Sequence, residues 1–136
     1  MKWIGAPQDA KEAVKWYRLA AKQGFDRAQC NLGFCFESWI GVSQDAKEAV
    51  KLFRLAAEQG HARAQCNLGT CYQGGIGVHH DAKEAARWFR LAAKQGHAGA
   101  QCSLGIYFQE GTGELQDAKE AVKWYRLAAT QGLAQA

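Results

Sequence analysis

Apolar and polar residues recur along this chain with two nested periods. Over residues 9–24, turned at 100° per residue, Ala10, Val14, Trp16, Tyr17, Ala20 and Ala21 gather on one side of a helix, and Lys11, Lys15, Arg18 and Lys22 gather on the other. The same stretch opens again at Asp45, Asp81 and Asp117, each start 36 residues after the last. The first and fourth copies differ only at Lys22 versus Thr130. In every copy an Asp is followed by a Glu three residues later, a capping-box-like start. Gly24, Gly60, Gly96 and Gly132 read as left-handed stops. These are the B helices.

A second amphipathic segment, A, lies between the copies at 26–37, 62–73 and 98–109. Its fixed parts are Ala-Gln-Cys, then Leu-Gly, then an aromatic residue. Ala28, Leu32 and Phe36 stand at i, i+4 and i+8, one face of a helix that must meet B. Gly33, Gly69 and Gly105 fall in mid-helix, where glycine costs about 1 kcal/mol relative to alanine, so each site is expected to need close contact. The pattern predicts helices at 9–23, 26–37, 45–59, 62–73, 81–95, 98–109 and 117–131. The connections Gly75-Ile76-Gly77-Val78 and Gly111-Thr112-Gly113-Glu114 read as turns requiring positive φ, not as phosphate cradles, and Trp39 replaces the first glycine in the third such loop.

A fixed period in the range of 20 to 50 residues signals a solenoid whose core is a line of interfaces between neighbouring units. The units are read as 1–24, a partial repeat holding a B helix alone, then 25–60, 61–96 and 97–132, with 133–136 opening a truncated one. The helices at 9–23 and 117–131 keep the full apolar face of an internal copy, so end-to-end association or swapping is expected.

The motifs Leu32-Gly33-Phe34-Cys35-Phe36 in A and Ala49 to Phe53 in B resemble the tetratricopeptide pattern. With a period of 36, a Gly-x-Gly-Val loop and Asp-Ala-x-x-Ala-x-x-Trp-Tyr-x-x-Ala-Ala-x-Gln-Gly, the sequence is similar to the Sel-one-like repeat (SLR) family over almost its whole length. Departures are Trp39, Glu114 where Val is usual, and Cys after Ala-Gln where an aromatic is common. The resemblance implies an all-α fold, a right-handed α-solenoid of antiparallel helix pairs. It also implies a non-enzymatic adaptor or scaffold that assembles protein complexes, often in bacterial signalling and host interaction. One branch, the Helicobacter cysteine-rich proteins, is stapled by disulfides between A and B helices and associated with β-lactam binding or weak hydrolysis, which supplies an alternative by analogy. An idealised or fragmentary array without an evolved partner is a second alternative.

The five cysteines do not follow that branch, because no B helix contains one. Cys30, Cys66 and Cys102 recur on successive A helices, whose axes stand about 8–10 Å apart, too far for a ladder of disulfides. Cys30 and Cys35, like Cys66 and Cys71, are five residues apart and face different ways. Small, buried, reduced thiols are expected, in a cytoplasmic, reducing compartment. There is no apolar run of signal-peptide or membrane-span length. His61, His79, His80 and His97 sit in turns and are read as solvated, so neither a metal nor any cofactor is expected. No Ser, His and acid grouping suggests a nucleophile.

Net charge is +4, and of the 17 lysines and arginines all but Lys2, Arg27 and Arg63 lie in the B copies. They form a ridge bordered by Glu12, Glu48, Glu84 and Glu120. The ridge scarcely varies from copy to copy, unlike a surface that reads bases, so no nucleic acid or membrane partner is expected. In a solenoid of the implied kind the A helices line the concave side. The positions turned away from their buried face, Arg27, Asn31, Phe34 and Ser38, then Arg63, Asn67, Thr70 and Gly74, then Gly99, Ser103, Ile106 and Glu110, would line a groove for a peptide or partner domain. Arg27, Asn31, Arg63 and Asn67 would supply donors there and Ile106 an apolar patch.

Overall fold

Asp45 and Asp81 begin their helices as their spacing predicts: each stands in extended backbone, and its Oδ1 accepts the N–H of Glu48 or Glu84, respectively, at 3.1 Å. In the computed structural model, seven α-helices run in order: α1 (Ala6–Lys22), α2 (Asp26–Ser38), α3 (Ala46–Glu58), α4 (Ala62–Gly74), α5 (Ala82–Lys94), α6 (Ala98–Glu110) and α7 (Ala118–Gln135). The structure describes residues 6–38, 44–110 and 118–135, with side chains at 9–38, 44–110 and 120–131, and no strand occurs among the described residues. Trp39, the loop at 111–114 and the cap at Asp117 lie outside them. Because the Asp81 carboxylate caps α5, Asp81→Ala is expected to lower stability by about 0.5–2 kcal/mol. Asp81→Asn should be nearly neutral, and denaturant unfolding of the two variants separates the cap from a general charge effect.

The chain zigzags. Helices α2 and α3, α4 and α5, and α6 and α7 form tight antiparallel pairs, and the pairs stack through α1 on α2, α3 on α4 and α5 on α6. The result is a right-handed α-solenoid of antiparallel pairs with a repeat of about 36 residues. One continuous core runs its length, from Val14 through Phe53, Leu68 and Phe89 to Tyr107 and Trp124. Phe89 meets Tyr107 edge to face, with centroids 5.7 Å apart. The mid-helix glycines are explained within the pairs. A Cβ on Gly33, Gly69 or Gly105 would stand 2.8 Å from the ring of Phe53, Phe89 or Tyr125, so the close contact is with an aromatic side chain of the paired B helix. In the connecting loop Gly75 (φ 65°) caps α4 by donating its N–H to the Cys71 carbonyl. Gly77 (φ 70°) lies against the Ala46 backbone, with no room for a side chain.

Both ends depart from the sequence expectation. Helix α1 starts at Ala6, not at Asp9, which is thus a first-turn acid and not a cap. Pro7 is well suited to a first helical turn, where its missing N–H costs nothing, and it lets the helix begin one turn early. Helix α7 runs through Gly132, where a stop was expected. At the internal stops the next segment holds the break: Phe25, His61 and His97 donate N–H to Ala20, Ala56 and Ala92, and the Gln29, Gln65 and Gln101 side chains donate to Ala21, Ala57 and Ala93. After Gly132, residues 133–135 continue α7 and do not turn back on it.

Trp16, on the face that the pattern buries, is 60% exposed, whereas Trp88 and Trp124 at the same repeat position are 5% and 8% exposed. Helices α5 and α7 each have a pair partner, α4 and α6, and α1 has none among the described residues. Val122 is likewise exposed where Val14, Val50 and Ala86 are buried.

Candidate functional site

Helices α2, α4 and α6 bury Ala28, Leu32 and Phe36 and their counterparts and turn the opposite stripe outward. Arg27, Phe34, Arg63, Thr70, Gly74, Gly99, Ile106 and Glu110 are exposed, and Asn31, Ser38, Asn67 and Ser103 are half-buried. All twelve expected groove positions therefore lie off the core. The structure joins some of them. Arg63 Nη2 donates to Asn31 Oδ1 across the boundary between α2 and α4, at 2.7 Å, and Asn67 Nδ2 approaches the Cys30 sulfur at 3.8 Å. Thr70 and Ser103 turn their hydroxyls back to the carbonyls of Cys66 and Gly99, both at 3.1 Å. The stripe thus offers guanidinium donors at Arg27 and Arg63, while the hydroxyl protons of Thr70 and Ser103 are already committed.

The thiols beneath this stripe do not share one environment. Cys30, Cys35 and Cys71 are buried as expected, but Cys66 is only half-buried and Cys102 is exposed, because each A-helix cysteine of the ladder is covered by side chains of the next repeat. All five are free. Burial pushes the Cys30 thiol pKa up, and the Arg63 and Asn67 contacts offset this only in part. Burial pushes Cys66 to about 11 and, with Glu37 adding to the effect, Cys71 to about 12. At neutral pH these sulfurs stay protonated, which suits packing and not nucleophilic attack or metal ligation. Among the described residues no group of three His, Cys, Asp or Glu side chains could hold a metal ion.

Three features escaped the sequence reading. His61 and His97, expected to be solvated, are half-buried N-caps whose Nδ1 accepts the N–H of Ala64 (3.2 Å) and Ala100 (3.1 Å). The His97 pKa is pushed down by burial and then by the Arg63 charge, in keeping with a neutral ring that accepts at Nδ1 and carries its proton on Nε2. Gln29, Gln65 and Gln101 are buried, and the first two receive Gln59 and Gln95 at 2.7 and 2.9 Å, tying each B helix to its paired A helix. Gln131 instead donates to the Gly96 carbonyl, a consequence of the uninterrupted α7, and Gln101 Oε1 is buried without a hydrogen-bond partner. On the basic ridge, Arg18, Arg54 and Arg90 lie over the rings of Phe36, Tyr72 and Phe108, 5.4–5.9 Å from their centroids, and Arg54 also donates to the Tyr72 hydroxyl at 2.7 Å. These arginines fasten one repeat to the next, so the ridge is not purely solvated. The signal was present in the sequence, since the glutamines recur in every A copy and each Arg precedes its aromatic by 18 residues.

Comparison with known proteins agrees with this geometry. The Sel1 repeat, as a family profile, matches residues 3–25, 26–61, 62–97 and 98–133. A protective antigen of uropathogenic Escherichia coli with an SLR fold is 43% identical, with a TM-score of 0.85 over 87% of this chain and 25% of its own. A Sel1 repeat protein from Oxalobacter formigenes is 41% identical, with a TM-score of 0.84 over 90% of this chain and 51% of its own. This chain thus spans about a quarter and about half of the lengths of those two proteins. Cysteine-rich protein B of Helicobacter pylori, 24% identical with a TM-score of 0.72, covers 96% of this chain and 94% of its own and shares the fold. No curated protein sequence matches the chain.

Proposed function

Because the chain belongs to the Sel1 repeat family, whose members are in general protein-interaction scaffolds, we propose that it binds an extended segment of a partner protein along α2, α4 and α6. The observation that carries this reading is the outward stripe itself. Arg27, Phe34, Arg63 and Ile106 are exposed over an otherwise closed core, and the stripe changes along the repeats (Arg27, Arg63, Gly99; Phe34, Thr70, Ile106) while Ala28, Gln29, Leu32 and Gly33 beneath it recur unchanged in every A copy. Arg27 and Arg63 hold backbone carbonyls or carboxylates of the segment, with Asn31 and Asn67 beside them, and Phe34 and Ile106 take its apolar side chains. The opposite ridge is less suited to selecting a partner, because Arg18, Arg54 and Arg90 already hold neighbouring rings and Lys11, Lys47, Lys83 and Lys119 repeat unchanged in every copy.

Selection from a random peptide library, followed by titration, tests the assignment. The double change Arg27→Ala/Arg63→Ala is expected to weaken the selected peptides by about tenfold or more, at about 1.5–3 kcal/mol for each charge-assisted bond lost. Lys15→Ala/Lys51→Ala should leave them within about twofold. Weakening by the lysine pair and not by the arginine pair would place binding on the ridge and refute the groove.

A further inference from the structure

The two steps between neighbouring A helices are built differently. From α2 to α4, Arg63 reaches back to Asn31 and Asn67 to Cys30, and Cys30 is sealed at 0% exposure. From α4 to α6, the residues in the places of Arg63 and Asn67 are Gly99 and Ser103. Gly99 has no side chain to extend, and Ser103 bonds the carbonyl of its own helix. A Cβ on Gly99 would stand 4.0 Å from Cys66 Sγ and 3.2 Å from His97 Cε1, so Gly99 lies directly beside Cys66 and sends no side chain over it as Arg63 does in the preceding step. Cys66, the counterpart of Cys30, is accordingly only half-buried.

The opening has a direction and a chemical character. Gly99, Cys102, Ser103 and Ile106 lie at i, i+3, i+4 and i+7, so the stripe of α6 that begins beside Cys66 carries the exposed Cys102 thiol and the exposed Ile106 side chain. Two sulfurs and an isoleucine make a soft apolar floor, and thioether or thiol sulfur packs favourably against aromatic rings. At the mouth stands His97, whose Nδ1 is occupied by its cap, leaving Nε2–H as a donor. Arg63 is near enough for its charge to act on that imidazole, and its guanidinium has donors beyond the one given to Asn31.

We propose that the notch between α4 and α6, over Cys66 and beside Gly99, receives one aromatic side chain of the partner segment, with an acidic residue next to it on Arg63 and His97. This rests on the groove reading above and states which part of the groove selects the sequence that binds.

Gly99→Arg tests it, because Arg stands at this position in the two preceding repeats and the new Cβ asks only that the end of the His97 ring give by a few tenths of an ångström. The first readout is alkylation by N-ethylmaleimide, resolved to single cysteines by peptide mass spectrometry. Alkylation runs through the thiolate, so each cysteine is compared with itself in the unaltered and the altered protein. Gly99→Arg is expected to slow Cys66 about tenfold or more and to leave Cys30 unchanged. An equal or faster rate at Cys66 in Gly99→Arg would overturn the notch.

The second readout is the affinity for three capped peptides: Ser-Glu-Asp-Phe-Glu-Ser, the same with Phe replaced by Ser, and the same with its acids replaced by Lys. The unaltered protein should favour the first by about tenfold over both others, and Gly99→Arg should remove that preference. If Arg27→Ala/Arg63→Ala weakens the first peptide and Gly99→Arg does not, the groove stands and the notch is refuted. If the three peptides bind alike, the notch is refuted; if neither variant changes the affinity, both readings fall.

Discussion

Leu68→Ala is expected to lower the free energy of unfolding by about 2–5 kcal/mol, the range for a buried leucine whose cavity cannot collapse. Leu68 is 0% exposed near the middle of α4, the helix that contacts both the preceding α3 and its own partner α5. In a solenoid, stability is approximately a sum of repeat terms and nearest-neighbour interfaces, so damage to a central A helix loosens the interface on each side. Lys51→Ala, on the exposed ridge of α3, should stay within about 0.5 kcal/mol. Denaturant unfolding of the two variants measures both, and equal costs would mean that the buried and exposed faces have been inverted.

Phe89→Ala should cost about 3–5 kcal/mol, and it should also reverse the sign of a second substitution. The Phe89 ring is fully buried, packs edge to face on Tyr107, and lies where a Cβ on Gly69 would meet it at 2.8 Å. Alone, Gly69→Ala sets a helix-propensity gain of about 1 kcal/mol against an overpacking cost of about 1–3 kcal/mol, a net loss. With Phe89 truncated the obstruction is gone and only the gain remains, so Gly69→Ala becomes stabilising by up to about 1 kcal/mol. A double-mutant cycle reads the difference directly. If Gly69→Ala has the same effect in both backgrounds, the glycine is not there for the ring.

The same pairs of residues show what could be read from the chain alone. Helix starts at Asp45 and Asp81, stops at Gly60 and Gly96, and the buried stripe of Leu32, Leu68 and Leu104 follow from interactions within a turn or two of the backbone, and these were legible. The outward stripe was legible too, being what remains when the buried face is removed. The need for Gly69 was visible as a cost without a local cause. The cause itself, the Phe89 ring, lies on another helix.

What depended on a neighbour was not legible. Trp16 and Trp88 sit in nearly the same local sequence and have opposite surroundings, and of their helices α5 has a pair partner while α1 has none among the described residues. Cys30 and Cys66 share Ala-Gln-Cys-Asn-Leu-Gly and differ in exposure because the residue that covers each comes from the next repeat, Arg63 in one case and Gly99 in the other. Gly60 ends a helix and Gly132 does not. The sequence by itself determined where helices form and which face each one buries, since propensity, capping and amphipathic period act over a few residues. The tertiary structure decided which copies of an identical motif are covered, capped or left open, since those outcomes rest on side chains that arrive from the adjacent repeat, far along the chain and close only once it has stacked.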